Sequence, residues 1–124
     1  MKYMLIHCVD ESIAFGPEND SPIPDAPVAR ALETWLSDVT ARGVLLHGSR
    51  LRPVSDATTV QVREGSLLVS DGPFAETKEQ VAGYDVIDCA DLDEAIDLAS
   101  RHPTASIGMI EVRPLWDGWP VTPA

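Results

Sequence analysis

The chain has 124 residues, of which 44% are hydrophobic, and its formal net charge is -11 at neutral pH. This length is typical of one globular domain. So acidic a surface disfavours nucleic acid and anionic membranes, because both require a basic partner surface. No apolar run approaches the ~20 residues that span a bilayer. No secretory leader is recognised either, so we expect a cytoplasmic protein.

The first part of the chain predicts a strand, a loop and a helix. Lys2–Val9 is a short apolar run that ends before Asp10-Glu11, as expected of a buried strand. Residues 10–25 are rich in proline and acidic residues, which favours a mobile loop. Asp25 can cap the helix that follows, and Gly43 can end it. The apolar stripe of this helix consists of Val28, Leu32, Trp35, Leu36 and Val39.

The middle of the chain predicts strands only. Residues 44–51 and residues 81–89 have the composition of strands. Between them, residues 58–63 and 66–69 flank the turn signal Glu64-Gly65, which predicts a β-hairpin. The hairpin residues expected to lie nearer the core are Val60 and Val62.

A second helix and a last strand follow. Asp91 and Glu94 have the spacing of a capping box, which marks a helix start, and Pro103 follows the helix end. Residues 108–114 alternate as a strand does. The inward stripe of the helix is expected to consist of Leu92, Ala95, Ile96 and Ala99.

These elements have the order of the ferredoxin-like βαββαβ unit with an inserted β-hairpin. An inserted hairpin reverses the chain twice, so the strand after it keeps the direction that the unit requires. The predicted fold class is therefore α+β with an antiparallel sheet. Two helices cover one sheet face only, so we expect a second copy of the chain to cover the other face in a homodimer.

Ten consecutive residues resemble a family signature. Residues 71–80, DGPFAETKEQ, are similar to the signature of DGPF-domain proteins in the YCII-related superfamily. The similarity extends through Gly83-Tyr84, residues 91–95 and residues 111–114, and it includes the opening residues 1–5. The resemblance therefore spans most of the chain.

The resemblance implies one domain over residues 1–124, assembled as a dimeric α/β barrel, with residues 10–25 and the 115–124 C-terminal tail outside the similarity. Relatives in the superfamily have been linked to dehydrochlorination of hydroxylated aromatics and compared with muconolactone isomerase. Many DGPF proteins are encoded beside extracytoplasmic-function sigma factors and have no assigned reaction. A sigma-factor association is thus an expectation from the resemblance alone.

The chain departs from the family pattern at several positions. YciI-like members carry a His–Asp pair, and by alignment its positions fall near Leu32 and Ala41 here. Ser49 stands where DGPF proteins often have Glu, and Asp85 stands where a second aromatic residue is usual. An activity that depends on those groups is therefore not implied.

Two polar residues are the catalytic candidates. His47 lies beside Gly48, where the backbone can be closely approached, and an imidazole can act as a general base at neutral pH. Asp71 begins the Asp-Gly-Pro-Phe turn, where its carboxylate either accepts backbone N–H bonds or faces a ligand. A hydrogen-bonded strand histidine and a turn-forming aspartate are the structural alternatives. The candidate ligand-binding residues are Phe74, Glu76, Lys78 and Tyr84.

The other histidines carry no predicted chemistry. His7 alternates with apolar residues and is expected to be buried and hydrogen-bonded. His102 ends the second helix, where it is expected to complement the helix dipole. The histidines and the cysteines Cys8 and Cys89 lack metal-ligand spacing, and no phosphate-binding glycine motif is present. We therefore predict no metal and no cofactor.

Two functions remain open. The first is non-catalytic: a homodimer that binds a small molecule or another protein. The second is a small enzyme for proton transfer or elimination on a cyclic or aromatic compound in the dimer cleft, with His47 and Asp71 as its acid–base groups. The second function requires both side chains to converge on one pocket.

Overall fold

The computed structural model describes residues 1–14, 26–73 and 77–118. None of the helices in these ranges is both long and apolar enough to cross a membrane. Besides a 3-10 turn at Val54–Asp56, the elements in chain order are β1 (Lys2–Val9), α1 (Glu11–Ala14), α2 (Ala26–Ala41), β2 (Leu45–Arg50), β3 (Thr58–Arg63), β4 (Ser66–Asp71), β5 (Gln80–Asp88), α3 (Leu92–Arg101), α4 (Thr104–Ile107) and β6 (Met109–Pro114).

Two predicted segments are described only in part. The 10–25 segment begins with α1, and residues 15–25 lie outside the described residues. The 115–124 tail is described as far as residue 118, and its Trp116 side chain is 82% exposed.

Four strands form an antiparallel sheet in the order β2-β5-β1-β6. The central strands β1 and β5 are the ones that lead into the long helices α2 and α3. This mixed α+β arrangement is consistent with a ferredoxin-like fold, as the order of the elements predicts. β1 is paired along its length with β5 on one side and β6 on the other.

Both long helices pack on one face of this sheet. The Trp35 indole of α2 donates a hydrogen bond from Nε1 to the Leu98 carbonyl of α3, at 2.9 Å. This bond ties the two helices together above the strands. The buried cluster between helices and sheet includes Tyr3, Leu5, Trp35, Val39, Ile87 and Leu98.

The start of α3 follows the predicted capping box, but its inward stripe differs from the prediction. Asp91 accepts a hydrogen bond from the Glu94 backbone N–H at 2.9 Å, which caps the helix. Leu92 and Ile96 are 49% and 50% exposed, so their predicted inward positions are wrong. Ile96 lies about 100° around the helix from Ala95 and so faces away from the sheet. The buried residues of α3 are Ala95, Leu98 and Ala99.

β3 and β4 pair with each other in a separate two-stranded sheet. Glu64 and Gly65 have φ angles of 52° and 77°, which is the left-handed conformation that a tight hairpin turn requires. Val60 and Val62 are 62% and 59% exposed. Their predicted position nearer the core is therefore wrong within one chain, because the hairpin does not join the main sheet.

The main sheet has two faces of different character. Along β1 the alternate residues Leu5, His7 and Val9 are buried beneath the helices. The alternation sends Ile6 and Val86 to the opposite side of the sheet, where both are half-buried. We call this opposite side, which includes Met4, Ile6, Tyr84, Val86 and Glu111, the open face.

A β-bulge in β2 decides which of its residues face the helices. Leu45 pairs with Ile87 and His47 pairs with Val86, so Leu46 is an extra residue in the ladder. The bulge reverses the alternation of the strand after Leu46. As a result Gly48 is paired with the inward-facing Asp85, and His47 lies on the open face.

Candidate functional site

A cavity of about 360 Å³ lies between α2, the inner face of β2 and β5, and the α3–α4 segment. Its volume is within the range of small-molecule sites in proteins. Polar side chains, among them those of His7, Asp85 and His102, line part of the cavity. The apolar side chains that line it include Val28, Leu32, Leu36, Leu45 and Ile107.

His7 and Asp85 form a hydrogen-bonded pair in this wall, which we call the His7–Asp85 dyad. His7 Nε2 lies 2.7 Å from Asp85 Oδ2. The two side chains are 7% and 10% exposed. The pair forms because His7 lies opposite Gly83 in the β1–β5 ladder, and Asp85 follows two residues later on the same sheet face. The prediction that His7 is buried and hydrogen-bonded is confirmed.

Gly48 makes room for the dyad. A Cβ atom at this position would lie 2.0 Å from Asp85 Oδ1, so no other residue fits while the carboxylate keeps its place. Oδ2 is bonded to His7, and no described residue bonds Oδ1. The described side-chain atoms that are shielded from solvent without a partner are His7 Nδ1 and Glu79 Oε2. Asp85 itself is one of the residues that line the cavity.

His102 packs against the dyad as a neutral imidazole. Its ring centroid lies 4.2 Å from that of His7 and 4.7 Å from that of Trp35. Burial, with a smaller effect of His7, lowers the pKa of His102 to about 3. A cationic partner for the helix dipole was expected here. That prediction is wrong because the ring is buried and uncharged at neutral pH.

One backbone hydrogen bond fixes the tautomer of His102. The Thr104 backbone N–H donates to His102 Nδ1 at 3.0 Å. Since a neutral imidazole carries one hydrogen, that hydrogen lies on Nε2. His102 therefore offers a hydrogen-bond donor at Nε2 and has no lone pair there.

Comparison with known proteins gives the family. The family model of the YCII-related domain matches residues 1–118. The chain belongs to the YCII-related family. An uncharacterized protein of Rhizobium meliloti (strain 1021) is 40% identical over 117 residues, which cover 93% of this chain and 92% of that protein. The family identified from the DGPF-containing signature is thereby confirmed, while membership of the DGPF group stays a prediction.

The histidine–carboxylate cluster of this YCII-related domain resembles a metal site in its spacing only. His7, Asp85 and His102 each offer a ligand atom, and the three atoms lie within 4.8 Å of one another. His102 does not fit this use. A metal on Nε2 would require the ring hydrogen on Nδ1, which already accepts the Thr104 N–H. The arrangement is better suited to holding and moving a proton.

The structure brings together two of the residues predicted from sequence. His47 Nδ1 and Tyr84 Oη lie 2.7 Å apart on the open face of the YCII-related domain. Asp71 lies exposed at the end of β4 in the other sheet, and no described hydrogen bond or ion pair joins it to His47. Lys78 is exposed. Phe74 and Glu76 lie outside the described residues, and the predicted roles of all six stay predictions.

Sequence reasoning missed the His7–Asp85 dyad. Its only signals were the alternation of β1, which placed His7 among buried apolar residues, and the unusual Asp85 after Tyr84. Strand alternation would have placed both side chains beneath the helices. The pairing itself depends on the register between β1 and β5, which brings together two residues that are 78 positions apart in the sequence.

Proposed function

We propose that this YCII-related domain binds a small, mainly apolar molecule in its own cavity and exchanges a proton with it through the His7–Asp85 dyad. The observation that carries the proposal is a hydrogen-bonded His–Asp pair, about nine-tenths buried, in the wall of a cavity of about 360 Å³. The reaction class is the proton transfer considered from sequence. Its location moves from the dimer cleft to a cavity within one chain.

The chemistry assigned to the dyad follows from its hydrogen bonds. His7 Nε2 holds Asp85 Oδ2 and so orients the carboxylate. Oδ1 is left to accept a hydrogen from a hydroxyl, amide or acidic C–H group of the ligand. The apolar walls strengthen these interactions because they exclude water.

Binding of a small aromatic hydroxyl compound tests the proposal. Phenol is titrated into ¹⁵N-labelled protein while the amide signals of the cavity residues Leu32, Gly83 and Ile107 are followed. We expect these signals to shift on titration. The Asp85→Asn variant keeps the shape of the side chain but accepts hydrogen bonds more weakly. Its dissociation constant should rise by about tenfold, the equivalent of roughly 1.4 kcal/mol.

The control for this titration is Glu111→Gln, which removes a carboxylate from the open face. We expect it to bind phenol as the unchanged protein does. Shifts confined to the open face, or an equal loss of binding in both variants, would contradict the cavity as the binding site.

We also propose that two copies associate through their open faces. This is supported by the half-buried apolar residues Ile6 and Val86 on that face, and by an apolar hairpin face that the chain leaves exposed. A non-catalytic binding role differs from the proposal above only in the proton transfer. The sigma-factor association implied by the resemblance stays a prediction, since no described contact bears on it.

A further inference from the structure

We propose that the ligand of the cavity is a carbonyl compound with an acidic hydrogen on the carbon beside the carbonyl, and that Asp85 and His102 together convert it to its enol. The inference rests on the proposed function, because it uses the same cavity and the same dyad. It adds a substrate class and a role for His102 as the group that binds the carbonyl oxygen.

His102 presents a hydrogen-bond donor at Nε2. The Thr104 N–H occupies Nδ1, so the ring presents N–H at Nε2. No described residue bonds this atom, and it is not among the solvent-shielded atoms without a partner. His102 is one of the residues that line the cavity.

Asp85 and His102 together place an acceptor and a donor in the cavity wall. Asp85 Oδ1 is an acceptor and a base, and His102 Nε2–H is a donor. One nitrogen of the His102 ring and one carboxylate oxygen of Asp85 lie within 4.8 Å of each other, which sets the scale of the gap between the two side chains. A single carbonyl compound can span this distance, with its oxygen toward His102 and its acidic hydrogen toward Asp85. A hydroxyl group can also pair with both residues, but it has no acidic C–H group beside it for Asp85 to act on.

The proton and electrons balance without a further reactant. The C–H bond beside the carbonyl breaks, and the proton passes to Asp85 Oδ1. The electron pair of that bond forms a carbon–carbon double bond, and the carbonyl oxygen gains the negative charge. His102 Nε2–H donates a hydrogen bond to that oxygen. Return of the proton to the oxygen gives the enol, and in a ketone with a β,γ carbon–carbon double bond its return to the γ carbon gives the conjugated isomer.

A neutral imidazole suits this role. The low pKa of His102, near 3, keeps the ring uncharged at neutral pH. A fixed neutral donor stabilises a developing oxyanion without reorganising, which is the role of the neutral histidine in triosephosphate isomerase. The contact with Trp35 and the bond from Thr104 hold the ring in place from two sides.

The test uses cyclohexanone as the probe and cyclohexanol as its matched control without a carbonyl group. The full chain is incubated with cyclohexanone in D₂O, and deuterium uptake at the carbons beside the carbonyl is followed by NMR. We expect exchange above the buffer rate. It should fall by about 100-fold in Asp85→Asn, at the lower end of what general base catalysis contributes.

Substitution of His102 tests the donor. His102→Phe keeps the ring packing and should lower the exchange by about 100-fold, which is the lower end for the loss of an oxyanion donor. His102→Gln offers an N–H group and should retain more exchange than His102→Phe. The control Glu111→Gln should leave the exchange unchanged. If His102→Phe does not fold, the ¹⁵N signal of Nε2 in the unchanged protein gives the answer: it should shift on titration with cyclohexanone, and an unchanged signal would contradict the carbonyl inference.

The outcomes separate the two proposals. If cyclohexanone shifts the cavity signals but is not exchanged, or if exchange is independent of His102, the carbonyl inference is wrong and the cavity proposal stands. If neither cyclohexanone, cyclohexanol nor phenol shifts the cavity signals, the proposed function itself is wrong.

Discussion

At Gly48 the strands β2 and β5 bring a backbone against a carboxylate. A Cβ atom here would lie 2.0 Å from Asp85 Oδ1. We therefore expect Gly48→Ala to displace the carboxylate, weaken its bond to His7 and destabilise the protein by about 1–3 kcal/mol, as overpacking does. Urea unfolding measures the change. In an Asp85→Ala background the same substitution should cost clearly less, which a double-mutant cycle would report as coupling.

An equal cost of Gly48→Ala in both backgrounds would contradict this explanation. The neighbouring Tyr84 carbonyl, 3.1 Å from the same position, would then be the group that excludes a side chain.

His102 predicts an acid sensitivity of the fold. Its pKa falls from 6.5 to about 3 on folding, so the unfolded chain binds a proton there at a pH where the folded chain does not. The stability that this group contributes is complete above about pH 6.5 and is lost as the pH falls toward about 3. Urea unfolding between these values should show a declining free energy of unfolding. The decline should be smaller in His102→Phe, and an unchanged slope in that variant would contradict the assignment.

The dyad shows what one sequence can and cannot predict about a residue. The burial of His7 follows from its alternation with Leu5 and Val9, which is local information. Its partner Asp85 is 78 residues away. Finding it requires the β1–β5 register, which β-bulges shift and which local patterns do not encode. The sequence indicated that the backbone at Gly48 can be closely approached, and in the structure the group that approaches it is Asp85.

At the scale of the elements, helix α3 offers two substitutions to compare, one at a buried position and one at an exposed position. Leu98 is fully buried beneath Trp35, whereas Ile96 is 50% exposed on the same helix. Leu98→Ala should therefore destabilise the protein by about 2–5 kcal/mol, because it removes buried methyl groups and leaves a cavity. Ile96→Ala should cost roughly 0.5 kcal/mol or less. Thermal or urea unfolding of the two variants compares them directly, and similar losses would contradict the inward stripe.

The hairpin shows that local signals can identify an element without showing what it packs against. The turn at Glu64-Gly65 and the alternation of β3 identified it from local signals alone. Alternation also shows that one side of the strand is apolar, but not what covers that side. Val60 and Val62 were therefore assigned to a core, but both are exposed among the residues that the structure describes.

For the whole molecule, a net charge of -11 makes self-association sensitive to salt. Two copies repel each other at low ionic strength, and salt screens this repulsion. We expect the dimer dissociation constant, measured by sedimentation equilibrium, to fall as sodium chloride is raised from about 0.02 to about 0.2 M. A monomer at all salt concentrations would contradict the open-face dimer.

A pair of charge-matched variants locates the interface. Ile6→Lys places a cation on the open face, and Ile96→Lys places one on the exposed side of α3. Both variants change the net charge equally. Only Ile6→Lys should weaken the dimer, because burying an unpaired charge in an interface is costly. If the two variants weakened the dimer equally, the cause would be the change in net charge and not the position of the new charge.

The extra residue at Leu46 has a consequence for alignments of this family. This β-bulge shifts β2 by one place against β5. In a relative without the bulge, the residue aligned with His47 would face the carboxylate, and the residue aligned with Gly48 would face the other side of the sheet. Column-by-column comparison across that insertion would then match side chains that lie on opposite sides of the sheet. A gap placed at Leu46 restores the correspondence, and it decides which histidine of a homologue is compared with which.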